Sequence, residues 1–489
     1  MSRSARRTIA LSAPLLVGLY FCVSLLSEPS TRLVSSELIK LRAPWDTTQA
    51  PLLVPLKHAS APGFENALPS CRIYDLPDDP LVKEYGQNNI RLSRTYEGSG
   101  TRVRRLLQKA LRGEAIKVAV VGGSVSTGHG VPSPFNSDFY MHMRIFQWFL
   151  DTFPGADHDL NLDSALPAST SWYFSYCVRE TLPEDADLVM LELDINHHEP
   201  SKESLEATEA LYRTILGLPK QPALIYISIF GLIFEDMTHG WRHSALISQW
   251  LDVPEINIRN FYLPHLMLHP DHTPVLFRNW ADDVDIRHIN SIGHKAAADM
   301  VIGYLREQLC LVQREGPIDQ DPQNPVWPTH EISATMPRLG MLSKWDETSH
   351  VPLLHPKCQS VTSTKFPLTP SRNMGWERVD RNDKISYEAT IPESEIDFKV
   401  TLDQGRLGLY FWMTRDESFG MIVCWVDGDQ SPERLRYISG YNPWHPASTF
   451  EHTNDMWTDL SSGEHVLTCK IIPGEKGGTI FRISATVSR

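Results

Sequence analysis

Hydrophobic runs of two kinds alternate along residues 117–310. Runs of the first kind are continuous, apolar and rich in β-branched residues, which predicts strands buried on both faces of a sheet. They occupy residues 117–121, 160–166, 188–195 and 223–230. Runs of the second kind, at 139–149 and 204–218, repeat apolar residues every three or four positions and predict helices with one buried face. Alternating strands and helices indicate the α/β class, with a parallel sheet covered on both sides.

The pattern changes after residue 312. Five prolines between residues 317 and 337 interrupt the polar stretch 313–356, which predicts a linker rather than a helix or a central strand. Short β-rich runs separated by turn glycines then follow, at 407–413, 420–426, 465–472 and 479–487. We therefore expect an all-β sandwich over residues 357–489, one that resembles the jelly-roll domains of carbohydrate-active proteins.

The amino terminus has the features of a membrane anchor. Arginines at positions 3, 6 and 7 precede an uncharged, largely apolar segment at 8–26. About nineteen residues at a helical rise of ~1.5 Å nearly match a ~30 Å hydrocarbon core, and the arginines favour a cytoplasmic tail at 1–7. Residues 27–100, rich in proline, serine and charge, predict a stem. We expect a single-pass type II membrane protein of the Golgi, the ER or the cell surface; a cleaved signal peptide is the alternative.

Cysteine use fits that oxidising compartment. Apart from Cys22 in the apolar segment, six cysteines remain, an even number that suits a disulfide framework. Fifteen pairings exist for six cysteines. We predict Cys424 with Cys469, because both lie in strand-like runs of one domain; buried free thiols are the alternative.

Length and charge narrow the class of protein further. A chain of 489 residues with 42% hydrophobic residues is long enough for two cores. Its formal net charge of −13 argues against nucleic-acid binding through a general basic surface.

The segment KVAVVGGSVSTGHG at 117–130 presents a serine where a strand ends. Gly122 and Gly123 allow the backbone to turn at the carboxyl edge of the sheet, where open α/β sheets bind ligands. Ser124 is therefore a candidate nucleophile, and a turn or helix-cap role is the alternative. A P-loop is disfavoured, because His129 stands where its lysine should be, and the dinucleotide pattern Gly-x-Gly-x-x-Gly does not occur.

A serine nucleophile needs a histidine to accept its proton and a carboxylate to orient that histidine. Asp285 and His288 stand three residues apart, just before a helix that the apolar spacing predicts from residue 292 onward. We predict that His288 is the general base and Asp285 its partner. His294 is the weaker candidate for the base, because packing or capping also explains it.

Taken in order, these segments resemble the sequence blocks of the SGNH (GDSL-type) hydrolase superfamily. Gly122-Gly123-Ser124 resembles the first block and Asp285-x-x-His288 the last. The resemblance implies that Ser124 attacks an acyl carbon, that His288 acts first as base and then as acid, and that Asp285 fixes the tautomer of the imidazole.

The two middle blocks have partial matches. Asn196 follows an apolar run as the asparagine of the third block does, and Ala168 stands where the second block has glycine. The resemblance implies a three-layer SGNH-type domain over residues 101–312, in which the amides of Ser124 and Ala168 and the side chain of Asn196 hold the oxyanion.

Four positions depart from the family pattern. Gly123 replaces an aspartate, Ala168 a glycine, Asp194 a glycine and His197 an aspartate. These departures leave a non-catalytic glycan-binding protein open as an alternative.

The function we predict is a serine esterase that hydrolyses an O-acyl ester on a small molecule or glycan. A glycan O-acyltransferase that uses the same site is the other alternative. Six aromatic residues of the second domain are candidates for a sugar-stacking platform, although strand aromatics more often belong to the core. They are Trp412, Trp425, Trp444, Trp457, Tyr437 and Tyr441.

No cofactor or metal is predicted. His265, His269 and His272 form one histidine-rich group, and Asp194 with His197 and His198 another. Neither group shows the three or four well-spaced ligands that zinc sites normally have.

Overall fold

A computed structural model describes residues 70–167, 169–196, 201–233, 242–315, 323–326, 336–348, 351, 355–381, 384–444 and 449–489. Its helices, in chain order, are α1 (Pro80–Tyr85), α2 (Gln87–Leu92), α3 (Thr101–Leu111), α4 (Met141–Thr152), α5 (Ser171–Thr181), α6 (Lys202–Leu216), α7 (Arg242–Trp250), α8 (Arg259–Leu268), α9 (Thr273–Phe277) and α10 (Ser291–Glu315).

The strands fall into two groups. The first group is β1 (Arg94–Tyr96), β2 (Lys117–Gly122), β3 (Asp159–Ala165), β4 (Leu188–Glu192), β5 (Ala223–Ser228) and β6 (Glu255–Asn257). The second group is β7 (Lys357–Ser360), β8 (Pro370–Met374), β9 (Glu377–Arg381), β10 (Lys384–Ala389), β11 (Glu395–Leu402), β12 (Leu407–Thr414), β13 (Met421–Val426), β14 (Arg436–Ser439), β15 (Thr449–Trp457), β16 (Gly463–Ile472) and β17 (Phe481–Ser488).

The first group forms one six-stranded sheet in the order β1-β6-β5-β4-β2-β3. All neighbouring pairs are parallel except β1 with β6. Val118 and Val120 of β2 pack with α3, α4 and α10 on one face, while Ala119 and Val121 pack with α5, α6 and α7 on the other. A strand between two helical layers must be apolar on both sides. The predicted α/β class with a parallel sheet is confirmed.

Sequence reasoning located the four long strands but not the edge of the sheet. The run predicted over 188–195 ends as a strand at Glu192, because the chain turns there into a 3-10 helix at Asp194–Asn196. Strands β1 and β6 have three residues each, too few to produce a visible alternation.

The second group forms two antiparallel sheets packed on a common core. One sheet has the order β15-β12-β17-β10-β9, with β7 also paired to β17, and the other β14-β13-β16-β11-β8. Their inward residues form a single apolar cluster. Cys424 lies directly opposite Cys469 on neighbouring strands and is bonded to it. The all-β sandwich and this disulfide are confirmed.

A second disulfide joins the two parts of the chain. Cys177 on α5 is bonded to Cys358 on β7, within a small buried cluster that includes Tyr176 and Val487. The Tyr176 hydroxyl donates a hydrogen bond to Asp455 on β15. The sandwich therefore packs against the α5 side of the α/β domain.

The described end of the predicted stem is folded. Residues 70–100 form α1, α2 and β1, and Cys71 is bonded to Cys310 on α10. The Tyr85 hydroxyl donates to Asp299 on the same helix at 2.8 Å. These long-range contacts, which have no local sequence signal, correct the placement of residues 70–100 in a stem.

The prediction of a single-pass membrane protein is contradicted. Within the described ranges, no helix is both long enough and apolar enough to cross a bilayer. The longest, α10, has 25 residues but carries charged side chains along its length, among them Lys295, Asp299 and Glu307. The segment 8–26 on which the prediction was based, with its flanks 1–7 and 27–69, lies outside the described residues.

Candidate active site

Three side chains from distant parts of the chain meet at the carboxyl edge of the sheet. The Ser124 hydroxyl lies 2.8 Å from His288 Nε2, and His288 Nδ1 lies 2.6 Å from Asp285 Oδ2. Because an ionised carboxylate only accepts, Nδ1 carries the proton and Nε2 offers its lone pair to the serine. The arrangement is that of a nucleophile, a base in contact with it, and a carboxylate that orients the base.

Two opposing effects set the charge of Asp285. Burial raises the pKa of this carboxyl, but hydrogen bonds from His288 and from the Arg287 amide outweigh burial, so its pKa lies below the ordinary value. Asp285 is therefore a carboxylate at neutral pH, a charge that would stabilise a protonated His288 imidazole.

Ser124 begins a tight turn immediately after β2. The backbone amide of Thr127 donates to the Gly123 carbonyl at 3.1 Å, and that of His129 donates to the Ser124 carbonyl at 3.0 Å. The Thr127 hydroxyl also donates to the Ser124 carbonyl at 2.8 Å. These bonds hold the serine at the end of the strand, where its hydroxyl faces His288.

The two glycines before Ser124 are required for space. A Cβ atom on Gly122 would lie 2.1 Å from the Ser126 hydroxyl oxygen, and one on Gly123 would lie 2.1 Å from Asn196 Oδ1. Neither glycine has a positive φ. The aspartate that the resemblance expects at position 123 would therefore overlap Asn196, which gives this departure a physical reason.

Asn196 lies beside the turn at residues 123–129, which we call the nucleophile turn. It ends the 3-10 helix that follows β4, is 8% exposed, and packs its amide group on Gly123, the residue before the Ser124 amide. Ala168 and His197 lie outside the described residues. The segment just before Ala168 borders the turn, since the Leu166 amide donates to the Gly122 carbonyl at 2.9 Å. The structure thus brings Asn196 to the serine.

A further glycine joins the nucleophile turn to the base. Gly130 has φ +92°, and a Cβ atom there would lie 2.3 Å from the Ile289 carbonyl oxygen. This close approach places the exposed ring of His129 at 5.2 Å from the His288 ring, measured between centroids. Sequence reasoning used His129 only to exclude a P-loop and missed its position at the site.

His294, the weaker candidate for the base, is fully buried. Its Nδ1 accepts a hydrogen bond from the Met141 amide at 3.4 Å, and burial lowers its pKa to about 3. A neutral, enclosed imidazole that faces the start of α4 packs rather than serving Ser124.

Asp194, where the family has glycine, is tied into the sheet. It is 2% exposed and accepts hydrogen bonds from the hydroxyls of Tyr226, at 2.5 Å, and Ser228. Burial raises its pKa to about 7, although these hydroxyl donors oppose the rise. Asp194 links the 3-10 helix that carries Asn196 to strand β5.

Among the residues that the structure describes, no group of metal ligands assembles at the serine. Within the described part of the chain, the one group of three close ligand atoms is Cys177, Glu180 and Cys358, whose two sulfurs are joined in a disulfide. His265 and His272 share a hydrogen bond of 2.9 Å between their ring nitrogens, with His269 beside them.

Comparison with known proteins gives a likeness of fold. No protein-family model matches the sequence, and no curated protein is significantly similar to it. The crystal structure of a two-domain esterase (CEX) active on acetylated mannans gives a TM-score of 0.61 at 15% identity, covering 82% of this chain and 98% of that chain. The same esterase co-crystallised with mannopentaose gives 0.59 at 14% identity, covering 82% and 97%. The likeness spans both parts of the chain.

The close packing of Gly123 and Asn196 predicts a non-additive pair of substitutions. We expect Gly123→Ala to slow labelling of Ser124 by a fluorophosphonate by about 100- to 1000-fold, because the methyl group displaces Asn196 or the Ser124 amide. Asn196→Ala should slow the labelling by a similar factor. In the double variant the methyl fills the vacated space, so labelling should be no slower than with Asn196→Ala alone. If the two single losses in labelling rate multiply in the double variant, the two residues act separately and the prediction is wrong.

The raised pKa of Asp194 predicts a pH-dependent stability. Its stabilising contribution is complete below the ordinary pKa of 3.8 and is lost as pH rises to about 7, because the folded state must then bury a charge. Asparagine does not titrate. The fall in Tm between pH 5.5 and pH 7.5 should therefore be smaller in Asp194→Asn than in the wild type, by roughly a few degrees. The exposed Asp380→Asn is the control, and equal falls in all three proteins would contradict the assignment.

Proposed function

We propose that this protein is a serine esterase of SGNH type that removes O-acyl groups from a glycan. The observation that carries the proposal is the continuous contact from the Ser124 hydroxyl through His288 to Asp285. Chance rarely places a hydroxyl, an imidazole and a carboxylate in this order within hydrogen-bond reach at the ligand edge of a parallel sheet.

Each step of acyl transfer has a residue at hand. Ser124 Oγ attacks the ester carbonyl carbon while its proton passes to His288 Nε2, and Asp285 stabilises the imidazolium. The Ser124 amide and the Asn196 side chain hold the oxyanion, together with the Ala168 amide, which the sequence resemblance assigns to this role. When the tetrahedral intermediate collapses, His288 returns the proton to the departing sugar oxygen. Water then releases the carboxylic acid by the same two proton transfers in reverse.

The glycan part of the proposal is supported by the whole-chain likeness to an esterase active on acetylated mannans and by exposed aromatic residues. Trp412, Trp425 and Trp457 are buried in the sandwich, so they do not belong to a stacking platform. Trp444 and Tyr437 are 87% and 60% exposed. Trp280, 70% exposed, lies in the short loop that precedes Asp285. Exposed aromatic faces of this kind suit the apolar sides of sugar rings.

The nucleophile assignment predicts how active-site labelling will respond to substitution. The wild-type protein should react with a fluorophosphonate at Ser124. Ser124→Ala should abolish the reaction, and His288→Ala should slow it by at least about 100-fold because the general base is lost. Intact-mass and peptide analysis identify the labelled residue. The controls are Ser133→Ala and His272→Ala, which remove a serine and a histidine outside the proposed triad of Ser124, His288 and Asp285.

The substrate assignment is tested with O-acetylated manno-oligosaccharides. We expect the wild type to release acetate with water as the acceptor, and Ser124→Ala to release none. Acetate transfer that appears only with an added sugar acceptor would favour the acyltransferase. Wild-type protein that binds the oligosaccharide but neither labels nor releases acetate would favour a binding protein and overturn the esterase.

A further inference from the structure

A group of polar side chains lies beneath the nucleophile turn, and the triad does not use it. The group consists of Ser126, Tyr140, His142, Glu192 and His294, none more than 1% exposed. These residues come from the turn itself, the start of α4, the end of β4 and the first turn of α10. We call these five residues the buried polar cluster.

Ser126 is held by three other members of this cluster. Its hydroxyl donates to Glu192 Oε2 at 3.1 Å and lies 3.0 Å from His142 Nε2. The Tyr140 hydroxyl donates to its backbone carbonyl. Since Ser126 is two residues after Ser124, these bonds restrain the turn that presents the nucleophile.

Glu192 contacts that turn on both sides of the nucleophile. Its backbone carbonyl accepts a hydrogen bond from the Gly123 amide at 3.3 Å, just before Ser124, and its side chain holds Ser126, just after it. Gly122 makes room for this arrangement, because any side chain there would meet the Ser126 hydroxyl.

Stability does not explain the buried polar cluster. Glu192 Oε1 and His142 Nδ1 are buried and have no hydrogen-bond partner within the described ranges. Unpaired buried polar atoms cost free energy of folding that apolar side chains of similar volume would avoid. Perturbed, buried ionisable groups beside a reactive site are candidates for a functional role.

The cluster is uncharged at neutral pH. Burial, together with the nearby Asp194 carboxylate, raises the pKa of Glu192 to about 8. Burial also lowers the pKa of His142 and that of His294 to about 3. Acyl transfer builds negative charge next to the Ser124 amide. A carboxylate beneath that amide would repel this charge, whereas a protonated Glu192 does not.

We propose that Glu192 is a positioning residue for the nucleophile: it acts through Ser126 to fix the turn, so that the Ser124 amide faces the oxyanion and the Ser124 hydroxyl stays in reach of His288. This inference rests on the proposed esterase function. It adds a group that neither touches the substrate nor belongs to the triad.

The test compares three substitutions in the full chain, with hydrolysis of 4-nitrophenyl acetate, fluorophosphonate labelling and Tm as measurements. Glu192→Gln keeps a neutral acceptor for Ser126 and should retain kcat within about threefold. Glu192→Leu removes the acceptor and should lower kcat by about 100-fold with little change in KM, because a displaced nucleophile loses rate rather than substrate affinity. Ser126→Ala is a milder change that replaces the test if Glu192→Leu does not fold. It should lower kcat by about tenfold.

Glu255→Leu is the matched control. Glu255 is also fully buried and its pKa is also raised by burial, but it lies on β6, and within the described residues its side chain makes no hydrogen bond to the nucleophile turn. We expect this variant to leave kcat unchanged, whichever way its Tm moves.

The pH dependence of kcat distinguishes a positioning role for Glu192 from a purely structural one. The titratable groups that face Glu192 are Asp194, Tyr140 and, through Ser126, His142. In the wild type, kcat should fall as pH rises through about 8, where Glu192 ionises. This fall should be absent in Glu192→Gln, which does not titrate.

The outcomes separate the two proposals. A wild type that neither labels nor hydrolyses the ester overturns the esterase and this inference together. If the wild type is active, each of three results overturns this inference alone. Either kcat is unchanged in Glu192→Leu, or Glu192→Gln and Glu192→Leu lose kcat equally, or Glu255→Leu loses as much kcat as Glu192→Leu.

Discussion

The absence of side chains at two successive positions is the constraint on which the candidate site depends. At the end of β2, Gly122 is covered by the Ser126 hydroxyl and Gly123 by the Asn196 amide, each closer than any Cβ atom could allow. The turn can therefore fold back on its own strand and also pack against the segment after β4. The Ser126 contact and the Asn196 contact together fix the backbone next to Ser124. The Ser124 hydroxyl still reaches His288.

The polar residues around this turn differ in how deeply they are buried. The triad lies at the carboxyl edge of the sheet, where Asp285 keeps its charge because hydrogen bonds outweigh burial. Below it, Glu192 and Asp194 are enclosed, and burial raises the pKa of each. A charged group is stable only where partners or solvent offset its desolvation, so burial opposes the ionisation of Glu192 and Asp194 more strongly than that of Asp285.

A disulfide and a small buried cluster join the two parts of the chain. The Cys177–Cys358 disulfide, the contact of Tyr176 with Asp455 and the buried cluster around them attach the sandwich to α5. Helix α5 covers the face of the sheet opposite α4 and α10, so this attachment lies across the sheet from the helices that carry His142 and His294. A similar combination of domains occurs in an esterase active on acetylated mannans.

The sequence by itself determined the elements whose pattern is local: the long parallel strands, the helix that begins at Ser291 and the antiparallel strands. It predicted the pairing of Cys424 with Cys469 while leaving free thiols open, and the structure forms this disulfide. It also indicated Ser124, Asp285 and His288, because a glycine turn and a short spacing leave a local signal. Only the tertiary structure decided which groups meet across the fold: the packing of residues 70–100 on α10, the contact of Asn196 with Gly123, and the enclosure of Glu192, His142 and His294. Burial and close approach are created by segments far apart in the chain, and periodicity along one segment carries no record of what another segment brings against it.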